Sequence, residues 1–260
     1  MIVKFICVLA ICVIPLTGCD DLFGYKSDDG TGTGSTLPGN PIPVVNENDG
    51  ALIPQPRDEV WWRDRHEAII SGVVPNQKIV FVGDCFIQFL ETTGQQSWSN
   101  LSNQYNGRIS NLGFDGDHTG NIIWRLENGQ FPRGMNPEYV VVLAGSHLDE
   151  FTRTPQSIAA GIGRIVQIIN ERAPQAKILL MSLPPRGYGI HDSNTVRNNN
   201  VNNIISTYNG FLGIQYVDFA HVLLDDQGFF TEEDCFLPDL VHLSVKGYEL
   251  WAQELLKYIP

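Results

Sequence analysis

Cysteine, methionine and basic side chains are all scarce in this chain. Its 260 residues hold five Cys and three Met. Cys7, Cys12 and Cys19 fall in the first stretch, which leaves Cys85 and Cys235 for the rest. Two cysteines do not make a disulfide framework, although an exported protein could still join them as a pair. Lys and Arg number 17 against 29 Asp and Glu, a formal charge of −12. A surface so poor in positive charge argues against nucleic acid and anionic lipid headgroups as partners, because both are bound through basic patches. Long apolar runs are missing too. Phe5 to Pro15 is too short for a stable transmembrane helix. No internal repeat is visible, which removes solenoids and propellers.

The beginning of the chain has the layout of a secretory signal. Lys4 supplies a positive start, Phe5 to Pro15 an apolar middle, and Leu16-Thr17-Gly18-Cys19 the small residues that follow. That tetrapeptide resembles the bacterial lipobox, in which the Cys is acylated and becomes the new N-terminus. Residues 1–18 are accordingly expected to be a lipoprotein signal peptide, with Cys19 as the lipidated residue. Acyl chains hold a protein on a membrane without spanning it. The expected location is an exported, membrane-anchored lipoprotein of a bacterial cell envelope. An ordinary signal peptide with a chance Cys, or a buried N-terminal helix, remains open. Residues 19–57 are rich in Gly, Ser, Thr, Pro, Asn and Asp and lack apolar periodicity. Such a segment cannot bury enough surface to offset its ordering entropy, so a lipid-anchored flexible linker is expected there.

One folded domain is expected over residues 58–260, long enough for a core of its own. Trp61 to Glu67 reads as an amphipathic helix. After it, short apolar runs alternate with helical patterns. The candidate strands are Lys78–Val82, Arg108–Leu112, Tyr139–Ala144, Lys177–Leu183 and Gln215–Phe219. They do not alternate with polar residues, as suits strands buried on both faces. Between the third and fourth, Ile158, Ile162, Ile165, Val166 and Ile169 recur at helical spacing, behind Thr154 as N-cap and Pro155 at the first position. Strand and helix in alternation imply an α/β fold with a parallel sheet covered on both sides. Ligands in such sheets bind at the carboxyl ends of the strands.

Several of those ends carry polar groups. The first strand runs into Gly83-Asp84-Cys85, where a helix N-terminus would favour a thiolate. A small buried residue in a tight turn is the plainer reading of a lone Gly-Asp-Cys. The second strand leads into Asn111-Leu112-Gly113-Phe114-Asp115-Gly116-Asp117-His118-Thr119, and the third into Ala144-Gly145-Ser146-His147. Near the far end stands Asp239-Leu240-Val241-His242. An Asp and a His three apart at a helix start can lie close enough for the carboxylate to orient the imidazole. Alone, that pair is more often a cap and a satisfied histidine. His66, His191 and His221 lie outside these blocks and read as surface or capping residues. Trp124 and Arg125 read as structural.

Taken in order, these pieces resemble the four blocks of the SGNH/GDSL hydrolase superfamily. Within it they are most similar to the branch of the brain-type platelet-activating-factor acetylhydrolase alpha-1 subunits and their bacterial relatives. The residues that carry the likeness are Gly83-Asp84-Cys85, Asn111 to Thr119 with Trp124 to Gly129, Val140 to Gly145, Pro174 to Ile178, Leu183-Pro184-Pro185-Arg186-Gly187, and Asp239 to Ser244 with Gly247-Tyr248. The resemblance implies a flavodoxin-like three-layer α/β/α sandwich on a five-stranded parallel sheet. It also implies ester hydrolysis by a nucleophile that His242 activates and Asp239 supports. The oxyanion hole would be the backbone N–H groups of the nucleophile and Gly116, with a side chain at position 147. No cofactor is implied, and the oligomeric state is not legible.

Two positions depart from that pattern: Cys85 stands where the superfamily has its Ser, and His147 where it has an Asn. A thiol beside an imidazole is a recognised nucleophile, and a histidine can donate to an oxyanion. The larger sulfur, however, shifts the attack geometry. Four readings therefore stand. Cys85, His242 and Asp239 could form a working triad for a small acyl ester, such as an acetylated glycan or lipid. The chain could be an inactive relative that binds a glycan or acyl ligand. Cys85, His147 and His242 could hold a metal with Asp239 or His118, although no known zinc spacing is present. Cys85 and Cys235 could be joined in a redox-gating disulfide.

Overall fold

The computed structural model describes residues 39–147, 153–187, 189–225, 227, 229 and 235–260. Residues 1–38, and with them the expected signal and Cys19, lie outside the described residues. Among the described residues, no helix is long and apolar enough to cross a membrane.

Five apolar segments form strands: β1 (Ile79–Gly83), β2 (Ile109–Gly113), β3 (Tyr139–Leu143), β4 (Lys177–Met181) and β5 (Ile214–Val217). All neighbours are parallel, in the order β2-β1-β3-β4-β5. Every residue of β1 is buried, which is why its sequence shows no polar alternation. The helices are α1 (Val60–Ser71), α2 (Cys85–Gln88), α3 (Gln95–Gln104), α4 (Thr119–Arg125), α5 (Pro155–Arg172), α6 (Ser193–Ile205) and α7 (Val245–Leu255). Phe81 of β1 meets Trp98 of α3 and Trp251 of α7, with ring centroids 5.5 and 6.0 Å away. Its strand neighbours Val80 and Val82 point to the opposite face. Helix α5 packs against both α4 and α6. The result is the expected α/β sandwich. Helix α5 begins as its sequence indicates: Thr154 accepts a hydrogen bond from Ser157 N at 3.1 Å, and Ile158, Ile162, Ile165, Val166 and Ile169 are fully buried.

The linker expectation needs correction for residues 40–57. Ile42 and Ala51 are buried. Ala51 O accepts from Thr119 Oγ1 at 2.9 Å, Gln55 O accepts from Asn121 Nδ2 at 2.7 Å, and Asp49 Oδ1 accepts from Ser157 Oγ at 2.5 Å. Small glycines let this segment lie close: a Cβ on Gly163 would sit 2.5 Å from Ile42 Cγ2, and one on Gly120 would sit 2.5 Å from Ile53 O. The segment therefore docks over α4 and α5 through single contacts, which leave no periodic signature in the sequence.

The topology also places the site. From β1 the chain steps to one neighbour, β2, and then crosses back to the other, β3. At such a switch point the loops leaving β1 and β3 diverge and open a crevice at their carboxyl ends. Asp84 and Cys85 leave β1 there, and Ser146 and His147 leave β3.

Candidate active site

Two strand ends are joined through Asp84. Its side chain is completely buried. Oδ1 accepts from Phe86 N at 3.2 Å and so caps α2, while Oδ2 accepts from Ser146 N at 3.1 Å and Ser146 Oγ at 2.6 Å. Through these bonds the carboxylate orders the turn between β1 and α2 and ties it to the loop after β3. Burial pushes the Asp84 carboxyl up; the bonds from Ser146 and Phe86, and the nearby Arg186, pull the other way without cancelling that rise. Gly83 permits the approach, because any side chain there would collide with the Leu143 carbonyl.

Cys85 is buried at the start of α2. Its thiol is not the stabilised thiolate that the helix start suggested. Burial pushes it well above the ordinary range, and the neighbouring Asp84 adds to the shift. Helix α2 is only 4 residues long, so few peptide dipoles oppose that effect. Alkylation is expected to show this. In the folded chain Cys85 should react with iodoacetamide at pH 7 more slowly than a free thiol, and its rate should keep rising past pH 9. Fast labelling at pH 7 with a plateau would contradict the assignment.

The imidazole comes from the loop before α7. His242 Nδ1 lies 2.8 Å from Asp239 Oδ2. Asp239 Oδ1 also accepts from the backbone N–H groups of Val241 and His242, at 2.9 and 3.0 Å. Burial pushes the Asp239 carboxyl up, but the bonds from the His242 ring, His242 N and Val241 N outweigh it, so its pKa falls. The tight path between the two residues requires a positive φ of 55° at Leu240. Leu240 O accepts from Gly187 N at 2.8 Å, which ties this loop to the one after β4. Phe89 stands 5.1 Å from the His242 ring, centroid to centroid, and limits its motion.

Three polar side chains converge at this point. Cys85 Sγ, a ring nitrogen of His242 and a carboxylate oxygen of Asp115 all lie within 4.8 Å of one another. With Nδ1 engaged by Asp239, Nε2 is the nitrogen left for Cys85. No motif singles out Asp115, which sits between Phe114 and Gly116 in a glycine-containing turn. Its backbone is held from both sides: N donates to Gln88 Oε1 at 2.6 Å, and O accepts from Arg57 Nη1 at 2.7 Å. Gly116, the expected oxyanion residue, follows with φ of 74°, and a Cβ there would lie 2.9 Å from Arg57 Nη1.

Arg186 was also passed over as a site residue. It is buried, and its Nε and Nη1 have no hydrogen-bond partner among the described residues. Burial lowers its pKa, and the field of Cys85, Asp84 and Asp239 partly restores it.

Other expectations are placed differently. His147 does not join Cys85 and His242 in a metal-competent group among the described residues; its ring packs edge-on to His118 at 4.8 Å. Cys85 and Cys235 are both buried thiols, not a disulfide. His66 is no surface residue. It is buried, stacks on Trp62 at 5.6 Å, and meets Gln130 Nε2 through Nδ1 at 2.9 Å.

Residues 81–250, from the core of β1 to α7, match the GDSL-like lipase/acylhydrolase family. The chain belongs to that family. It is 31% identical over 197 residues to the platelet-activating factor acetylhydrolase IB subunit alpha2 of Homo sapiens, which covers 74% of this chain and 80% of that protein. A member of the lipolytic G-D-S-L family from Veillonella parvula superposes with a TM-score of 0.57 at 17% identity, over 69% of this chain and 96% of that one. A variant of an acetyl-xylooligosaccharide esterase from Geobacillus stearmophilus gives 0.54 at 17% identity, over 71% and 94%. These two superpositions speak for the fold. The family is that of acylhydrolases, so acyl esters are its substrate class.

Proposed function

We propose that this chain hydrolyses small acyl esters through a thioester on Cys85. One observation carries the reading: Asp239 holds His242 at 2.8 Å, and a ring nitrogen of His242 lies within 4.8 Å of Cys85 Sγ, where β1 ends. His242 Nε2 takes the thiol proton as Sγ attacks the ester carbonyl, so no standing thiolate is needed. Asp239 supports the imidazolium that forms. The backbone N–H groups of Cys85 and Gly116 are the donors for the developing oxyanion, with His147 as the third. The alcohol leaves with the proton from His242. Water, deprotonated by the same nitrogen, then cleaves the thioester and returns the thiol. An acetyl group on a glycan or lipid suits this reading, because acetyl esters are what the acetyl-xylooligosaccharide esterase and the acetylhydrolase are named for.

Cys85→Ala is expected to abolish turnover of p-nitrophenyl acetate, and mass spectrometry of the quenched wild-type reaction should find an acetyl group on Cys85. Turnover that survives in Cys85→Ala would overturn the proposal. If the wild type is silent and Cys85→Ser turns over, the natural chain is a ligand-binding relative.

The same proposal places the chain on a membrane through Cys19, on the strength of the Leu16 to Cys19 motif. Cys19→Ser is expected to move the protein from the membrane fraction to the soluble one. An unchanged distribution would refute the anchor.

A further inference from the structure

The convergence at Cys85 is more than a triad needs. Asp115 has no place in thioester chemistry, yet its carboxylate lies within 4.8 Å of both the thiol and the imidazole. It does not support the His242 ring, because Asp239 already holds Nδ1. We propose that Cys85, Asp115 and His242 form a Zn²⁺ site, and that an ion bound there closes the esterase by taking its nucleophile. The second clause rests on the hydrolase reading above; the first does not.

Four features support the site. The donor set of one thiolate, one imidazole and one carboxylate is zinc chemistry, and three protein ligands leave a fourth position for water. Zinc bonds of about 2.0–2.3 Å put tetrahedral ligand atoms roughly 3.3–3.8 Å apart. The present 4.8 Å limit is thus closed by shifts of about 1.5 Å at most in Asp115 and His242, which are both only half-buried. Third, His242 is prepared as a ligand. Asp239 on Nδ1 fixes the tautomer and aims Nε2, the carboxylate–histidine arrangement found behind metal-bound imidazoles. Finally, charge closes: the thiolate and the Asp115 carboxylate balance the dication, and buried Asp84 stands near the Arg186 guanidinium. On binding, the Zn–S bond replaces the thiol S–H, and the proton leaves to solvent.

Position 85 decides the metal's identity. A hydroxyl there would be a poor ligand, whereas sulfur selects a borderline ion over Mg²⁺ or Ca²⁺. The substitution that alters the nucleophile also creates the strongest donor of the site.

The test is direct binding to the full folded chain. Titration with Co²⁺ should produce a thiolate-to-metal absorption band at one ion per chain, and Zn²⁺ should displace it. Competition against a chromogenic chelator should give a stoichiometry of one Zn²⁺ for the wild type. Affinity should fall by about 100-fold or more in Asp115→Asn and Cys85→Ser, and by about 10- to 100-fold in Asp239→Asn, the outer partner. Circular dichroism checks that each variant is folded. No one-to-one binding, or binding unchanged in Asp115→Asn and Cys85→Ser, would overturn the site. Ester turnover is read separately. Inhibition by Zn²⁺ that a chelator reverses supports closure, and turnover in a zinc-saturated enzyme refutes it. A wild type that binds zinc but is silent toward esters even when metal-free would defeat the hydrolase reading and leave the site standing.

Discussion

Asp117→Ala is expected to destabilise the domain by about 3–5 kcal/mol, the usual cost of stranding one partner of a buried ion pair. Asp117 and Arg125 are both completely buried, with Arg125 Nε on Asp117 Oδ2 at 2.6 Å. The same carboxylate accepts from Trp62 Nε1 at 2.8 Å and meets Arg57 Nη1 at 3.3 Å. Arg125 also donates to Leu112 O at 2.9 Å and to Gly83 O at 3.2 Å, so it clamps the carboxyl ends of β2 and β1. Without Asp117 a guanidinium would remain in the core with its charge uncompensated. Burial alone already lowers the Arg125 pKa, and Asp117 is the main opposing influence. A urea titration reads the loss as a fall in midpoint. The double variant with Arg125→Met should recover part of it, because the stranded charge is gone. A loss under about 1 kcal/mol, or a double variant that simply adds the two single losses, would show that water reaches the pair.

The strands were legible because a parallel sheet covered on both faces leaves its strands no exposed side. Ile79 to Val82 and Tyr139 to Leu143 can therefore be read from composition alone. Their ends were less so. Lys78 stands just before β1 and bonds Glu138 at 2.7 Å, so its charge is satisfied at the sheet's edge while the strand begins one residue later. Gly83 continues the strand only because Gly113 and Leu143 pair with it on either side, which is not visible in its own sequence. The docked segment before α1 was hidden for a related reason. Asp49, Ala51 and Gln55 find their partners on α4 and α5, more than 60 residues away along the chain, and such contacts impose no local period.

At the site, the Asp239–His242 pair could be read because it is local: three residues of separation suffice to bring the groups together. The environment of Cys85 could not. Its burial depends on what covers the crevice, and desolvation outweighs the four-residue helix behind it. Asp115 went unnoticed because its meaning arises only when the loop after β2 is laid beside the loop after β1. The spacing of 30 residues between Cys85 and Asp115 carries no signal, whereas the register of Gly83 with Gly113 does. His66 was misplaced in the same way. Its neighbours Trp62 and Gln130 close around it only in the fold.

His242→Ala is expected to lower kcat/KM for p-nitrophenyl acetate by about 10³-fold or more at pH 7, since loss of a triad base commonly costs that much. The shape of the remaining pH dependence is the sharper result. With the base gone, attack requires a thiolate already formed, and burial and Asp84 hold the Cys85 thiol well above its ordinary range. The sign follows. Below that pKa each unit of pH raises the thiolate fraction tenfold, so the variant's rate should climb steadily through pH 9, while the wild type, which hands the thiol proton to His242 during attack, should depend on pH less steeply. The gap between the two should narrow as pH rises. Asp239→Asn should cost less than His242→Ala. The Asp239 side chain is 45% exposed, so solvent and salt screen its support of the imidazolium. A variant whose rate is flat from pH 7 to 9, or Asp239→Asn as damaging as His242→Ala, would mean that Cys85 is activated by something other than His242. Arg186, buried beside it with two nitrogens unpartnered among the described residues, would then be the group to replace next.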